Sequence, residues 1–69
     1  MSADRETPRA LAEVRSIQRR TDLDLRTAAR MWVRANPLRA GWVSDELGEW
    51  PASDREVRAL QAAAWELLG

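Results

Sequence analysis

The sequence predicts an all-α fold, a small bundle of three main helices with a short irregular or helical connector between the second and the third. Three stretches carry apolar residues at the spacing of one helix face, and each follows residue types that begin helices. No stretch alternates apolar and polar residues as a half-buried strand does. We expect one helical domain over residues 1–69, with a flexible N-terminus at 1–6.

The first helix is predicted to begin at Pro8. Thr7 precedes it as the N-cap, and proline suits the first turn because its missing N–H would have no helical partner there. The apolar residues that follow share one arc of the helical wheel, namely Ala10, Leu11, Val14 and Ile17. The helix should end near Arg20.

The second helix is predicted from about Asp24 to Ala35. Thr21 and Asp24 are candidate caps, and Pro37 ends the helix because proline disfavours a helical conformation in the residue before it. Its apolar residues cover about 200° of the wheel, an arc that needs neighbours on two sides. We therefore expect this helix to be central, with Trp32 in the core.

Residues 37–50 are predicted to form a broken connector, because proline and glycine interrupt them. Its apolar side chains should cover the open side of the core, namely Leu38, Trp42, Val43, Leu47 and Trp50. For the two tryptophans the alternative is that they are exposed. The third helix should run over about 54–68, since Ser53 and Glu56 have the spacing of a capping box. Trp65 falls outside the apolar arc of that helix.

The composition excludes most catalytic chemistry. The chain has no Cys, His, Lys or Tyr, so it lacks thiol nucleophiles, imidazole bases, Schiff-base amines and the softer metal ligands. The carboxylates at positions 45, 46 and 49 do not have the spacing of a calcium-binding loop, and a solvated acidic turn is expected there. We expect no enzymatic activity, no metal and no cofactor.

Location and source are also predicted from the composition. No stretch approaches the roughly 18 apolar residues of a membrane span, and the first residues lack the apolar region of a signal peptide. We therefore expect a cytoplasmic protein without membrane association. All eleven basic residues are arginine, which indicates GC-rich codon usage and hence a high-GC bacterium, or a phage or plasmid of one.

Charge divides the chain in two, although the formal net charge is zero. Residues 5–39 hold nine arginines against four acids, and residues 40–69 hold two arginines against six acids. Arginines spaced four apart form a stripe on the second helix, and the candidate partner-binding set comprises Arg26, Arg30, Arg34 and Arg39. Such a stripe suits the binding of phosphate groups or of acidic side chains of a partner protein. It can equally be a solvated helix face whose arginines pair with acids of the same chain.

Four tryptophans in 69 residues are the other unusual feature. Tryptophan is seldom fully buried in a small domain, and tryptophans beside arginines are typical anchors of protein interfaces. We therefore predict partner contacts at Trp42, Trp50 and Trp65. A homodimer is also expected, because two short helices hardly cover the wide apolar arc of the central one.

Two segments resemble known families. Residues 32–53, which contain Asn36-Pro-Leu-Arg-Ala-Gly-Trp-Val43, resemble a segment near the C-terminal end of the REP-associated tyrosine transposases, whose catalytic His pair and Tyr have no counterpart here. Residues 15–32 are similar to the helix pair of the ribosomal stalk protein's C-terminal domain and of the ubiquitin-associated-like domain of elongation factor Ts. Both likenesses consist of residues that end one helix and begin the next, so no family is assigned from them.

The sequence therefore favours a small non-enzymatic regulator or adaptor that binds a larger protein, such as a phage- or mobile-element-encoded inhibitor of a host protein. The alternative is a helix-turn-helix DNA-binding transcriptional regulator, in which the second helix and residues 37–47 form the motif and the arginines contact phosphates. A third hypothesis is a structural subunit of a larger assembly.

Overall fold

The computed structural model describes residues 6–46 and 54–68, which form four helices. In chain order they are α1 (Glu6–Thr21), α2 (Leu25–Ala35), α3 (Pro37–Glu46) and α4 (Arg55–Leu68). The described part of the chain has no strand, so the predicted all-α class is confirmed, although there are four helices rather than three. None of these helices is long and apolar enough to cross a membrane.

Helix α2 is the centre of the bundle, as its wide apolar arc predicts. It packs against α1 and α4 and also contacts α3. Its buried residues are Ala28, Ala29, Trp32 and Val33. Asp24 caps its start as predicted, because a side-chain oxygen accepts the N–H of Thr27 at 3.1 Å.

The helix directions bring three helix ends together. Arg26 lies beside Ala59 and Ala62, and Arg30, one turn further along α2, bonds to Glu66 at 2.8 Å, so α2 and α4 run parallel. A three-residue turn places the start of α2 beside the end of α1, and Arg15 of α1 bonds to Glu56 in the first turn of α4 at 2.8 Å. The end of α1 and the starts of α2 and α4 therefore lie at one end of the bundle.

Helix α3 replaces most of the predicted broken connector. Ala40 and Val43 of α3 are buried and complete the core. Leu38 is exposed, so the expectation that it covers the core is wrong, whereas the exposure of Trp42 agrees with the second of the two alternatives given for it. The reason is that α3 is continuous, and a continuous helix cannot turn all of these side chains inward. The other predicted core-covering residues, Leu47 and Trp50, lie outside the described residues.

The start of α1 differs from the prediction. The helix begins at Glu6 rather than Pro8, and Thr7 lies fully buried inside its first turn rather than at the N-cap. A carboxylate oxygen of Glu46, from α3, accepts both the N–H of Thr7 at 2.9 Å and its hydroxyl at 2.7 Å. A residue distant in sequence thus takes the capping role. Of the predicted flexible segment 1–6, Glu6 is helical and the rest lies outside the described residues.

The start of α4 is also capped differently. Asp54 accepts the N–H groups of Glu56 at 2.9 Å and of Val57 at 3.2 Å, so Asp54 serves as the cap. Glu56, the other residue of the predicted capping box, accepts Arg15 of α1 at 2.8 Å. Ser53, the predicted cap, lies outside the described residues.

Candidate partner-binding site

The outer face of α3, which comprises Leu38, Trp42 and Asp45, exposes large apolar side chains. Leu38 is 68% exposed and Trp42 is 50% exposed. They are four residues apart, so they are neighbours along one face of the helix. Helix α3 therefore buries its small apolar residues and leaves its two largest ones in solvent.

Gly41 lies beside this outer face, in the middle of α3. A Cβ placed there would meet no described atom within 4 Å, apart from its own helix backbone and its sequence neighbours. Packing therefore does not require glycine, although glycine inside a helix is less stable than alanine by about 0.5–1 kcal/mol. Glycine does allow another backbone to approach closely, which suits a docking surface.

Two further apolar side chains are exposed on other helices. Trp65 of α4 is 61% exposed, and Met31 of α2 is 42% exposed. Trp65 was predicted to lie outside the apolar arc, and its exposure confirms this. It belongs to a different helix from Trp42, and Trp50 lies outside the described residues.

The predicted arginine stripe on α2 is divided by the packing of α4. Arg30 donates from Nε to Glu66 of α4 at 2.8 Å, whereas Arg34 is exposed. Arg26 lines a groove between α2 and α4. The stripe therefore does not present one continuous row of free guanidinium groups.

That groove contains two arginines that sequence reasoning missed as candidate site residues. Arg26, Arg55 and Arg58 line it, and we call it the arginine groove. Its volume is about 560 Å³, and its apolar lining is formed by Leu25, Ala59 and Ala62. Helical spacing within one segment cannot show this cluster, because only the parallel packing of α2 and α4 creates it.

Arg39, predicted to contact a partner, lies at the centre of a partly buried polar cluster. Its guanidinium donates to Glu6 at 2.9 Å and to Glu13 at 2.8 Å, and it lies 5.3 Å from the centre of the Trp32 ring. The Trp32 indole N–H also donates to Glu13, at 2.8 Å. Hydrogen bonds to Glu13 and then Glu6 raise the pKa of Arg39 above its ordinary value. Arg39 therefore links α3 to α1, and its contact with a partner stays a prediction.

The acidic residues at the end of α3 do not form the expected solvated turn. Glu46 is turned inward, where its two oxygens accept the N–H groups of Glu6 and Thr7. Asp45 is exposed, and position 49 lies outside the described residues. Within the described ranges, no three acidic side chains are grouped as a metal site would require.

The geometry of α2 and α3 weighs against the helix-turn-helix hypothesis. The two helices are joined by Asn36 alone, whereas the motif uses a turn of roughly 3–4 residues. The surface of α3 that would enter a DNA groove carries Leu38, Trp42 and Asp45, and none of these is basic. Arg39, the arginine of α3, is engaged within the fold.

Two surfaces of the described chain thus have the character of binding sites, the outer face of α3 and the arginine groove. The first is apolar with one acidic residue, and the second is basic with an apolar lining. No protein-family model, no curated protein and no solved structure matches this chain.

Proposed function

We propose that this chain is a small non-enzymatic regulator or adaptor that binds a larger protein through the outer face of α3. The exposure of Leu38 and Trp42 on one helix face carries the proposal. A tryptophan and a leucine in solvent expose apolar surface to water, and an interface would bury that surface. Tryptophan is also among the residues that contribute most to binding energy when buried at an interface.

The partner that fits this face offers an apolar groove to a helix. Leu38 and Trp42 have the i, i+4 spacing of helix-in-groove anchors, and Asp45 follows at i+7. An acidic side chain at the end of the apolar row suits a basic residue at the rim of the groove. Trp65 of α4 remains a predicted contact, separate from this face.

A second copy of the chain is the other candidate partner. The homodimer was predicted because the apolar arc of α2 seemed too wide for its neighbours. In the structure α1, α3 and α4 cover most of this arc, with Met31 and Ala35 left exposed. Any self-association is therefore expected to use the outer face of α3, and light scattering at micromolar concentration of the chain and of its Trp42→Ala variant would show it.

Affinity capture with three versions of the chain tests the proposal. The wild-type chain, the Leu38→Ala/Trp42→Ala variant and a Met31→Ala control serve as baits in a bacterial lysate, and quantitative mass spectrometry compares the proteins they retain. We expect at least one protein to be retained by wild type and control and to be reduced roughly 30-fold with the double variant, because anchor truncations typically cost about 2 kcal/mol or more. An identical protein set with all three baits would contradict the proposal.

Gly41→Ala gives a sharper test of the same face. The substitution should stabilise the free chain by about 0.5–1 kcal/mol, since helix propensity rises and the new methyl group meets open space. If a partner packs closely on α3, the same methyl group should weaken capture. A variant that is more stable and equally well captured would place the contact elsewhere.

A further inference from the structure

The arginine groove lies at the end of the bundle where α2 and α4 begin. Helix α3 contacts the opposite end of α1, because Glu46 accepts the N–H groups of Glu6 and Thr7 there. The groove is therefore a separate surface from the outer face of α3, and what it binds does not depend on the function proposed above.

The three groove arginines, Arg26, Arg55 and Arg58, form no ion pair within the described part of the fold. The acid that also lines the groove, Asp24, accepts the N–H of Thr27 and caps α2, and it also interacts electrostatically with Arg26. The groove therefore gathers three guanidinium groups whose donors are open to a ligand.

Two of the three groove arginines occupy unfavourable positions in the helices that carry them. Arg26 is the second residue of α2, and Arg55 is the first residue of α4. The helix dipole disfavours a positive charge in the first turn of a helix. Mutual repulsion of three like charges around one groove adds to this effect. Asp24 offsets part of this unfavourable charge at Arg26, and a bound anion would offset the rest.

The lining indicates which anion fits. Guanidinium groups bind carboxylates in a planar, two-bond geometry, and the apolar surface of Leu25, Ala59 and Ala62 suits aliphatic side chains. A bare phosphate would leave that apolar surface in water. Duplex DNA needs a longer basic surface, but the Arg30–Glu66 pair interrupts the arginines along α2 and the chain has no net charge.

We propose that the arginine groove binds an acidic segment of a partner protein, in which carboxylate side chains alternate with apolar ones. The carboxylates bind the three arginines, and the apolar side chains lie on the lining between α2 and α4. The attraction is between exposed charges, so it weakens as salt is added.

A labelled peptide that alternates glutamate and leucine serves as the probe, and fluorescence anisotropy at low salt measures its binding to the full chain. The groove variant is Arg26→Gln/Arg55→Gln/Arg58→Gln. The matched control is Arg19→Gln/Arg20→Gln/Arg34→Gln, which removes the same charge from three exposed arginines outside the groove. We expect roughly tenfold weaker binding for the groove variant and less than about twofold for the control, with both variants helical by circular dichroism.

Other outcomes would overturn the proposal. Equal losses of affinity in the groove variant and in the control would mean that the peptide binds only through the overall charge of the chain. Equal binding of a glutamine–leucine peptide would mean that the arginines are not used, and tighter binding of inorganic phosphate or duplex DNA than of the acidic peptide would assign the groove to that ligand instead. Leu38→Ala/Trp42→Ala should bind the probe as wild type does, which separates this proposal from that for α3.

Discussion

The two ends of the bundle use arginine in opposite ways. At the end formed by α3 and the start of α1, Arg39 is bonded to Glu6 and Glu13 and stacks on Trp32. At the other end, Arg26, Arg55 and Arg58 share a groove without an ion pair to any described carboxylate. The same residue type thus joins helices at one end and leaves an open charged surface at the other.

The difference shows that charge spacing along a helix does not indicate which arginines are available for binding. Availability depends on which acids the neighbouring helices bring within reach. Glu66 of α4 reaches Arg30, and Glu13 of α1 reaches Arg39. Substitutions at the two ends should therefore have opposite effects on stability, and the predictions below test this from the largest effect to the smallest.

The largest effect is expected from Trp32→Ala. The side chain is 1% exposed, and its indole N–H donates to Glu13, so the change opens a cavity and removes a partner of the polar cluster. Such substitutions cost about 3–5 kcal/mol, which is comparable to the roughly 3–5 kcal/mol that a core of this size supplies. Circular dichroism at room temperature should show a largely unfolded chain.

Trp65→Ala is the matched control for this prediction. The Trp65 side chain is 61% exposed and lies on the outer side of α4. Its truncation should change the free energy of unfolding by less than about 0.5 kcal/mol. Similar losses of stability for Trp32→Ala and Trp65→Ala would contradict the assignment of Trp32 to the core and of Trp65 to the surface.

Local rules predicted the helices themselves well. The apolar arcs, Asp24 as a cap and Pro37 as the end of α2 determine the central helix, and the same arcs place Trp32 inside and Trp65 outside. Each of these depends on residues within about one helical turn of one another, which is the range over which spacing and capping act.

The features that local rules missed all depend on contacts between helices. Thr7 has the chemistry of an N-cap, but Glu46 of α3 caps α1 instead. The arginine groove exists because α2 and α4 run parallel, and single-helix periodicity contains no information on relative direction. The continuity of α3 was missed because Pro37 and Gly41 suggest a turn or a short helical segment. Glycine costs only about 1 kcal/mol in a helix, and the burial of Ala40 and Val43 offsets that cost.

The second prediction concerns the closed end of the bundle. Arg39→Gln removes the positive charge that pairs with both Glu6 and Glu13. The two carboxylates then lose their ion pairs with residue 39. We expect a loss of about 1–2 kcal/mol in the free energy of unfolding by urea titration. Arg30→Gln, which breaks the more exposed pair with Glu66, should cost less than about 1 kcal/mol. A larger loss of stability for Arg30→Gln than for Arg39→Gln would contradict this prediction.

The third prediction is a pH dependence at the same end. Hydrogen bonds from Arg39 and then from Trp32 hold the pKa of Glu13 below its ordinary value of 4.5. A carboxylate with a lowered pKa in the folded state stabilises the fold above that ordinary value, and this contribution is lost as the pH falls through the folded-state pKa. The melting temperature of the wild type should therefore fall more steeply below about pH 4.5 than that of Glu13→Gln. If the melting temperatures of the wild type and of Glu13→Gln fall in parallel with pH, the stability of the polar cluster does not depend on the charge of Glu13.

The smallest effect is expected at the open end, and it should have the opposite sign. Arg26→Gln/Arg55→Gln/Arg58→Gln removes no described ion pair, and it relieves both like-charge repulsion and two cations in first turns of helices. The free energy of unfolding should rise by about 0.2–0.5 kcal/mol, whereas affinity for the acidic peptide falls. Urea titration of this variant beside Arg39→Gln, at low and high salt, makes the comparison direct, because screening should erase the gain at the groove. A loss above about 1 kcal/mol for the groove variant would show that these arginines support the fold after all, and the two ends of the bundle would no longer differ.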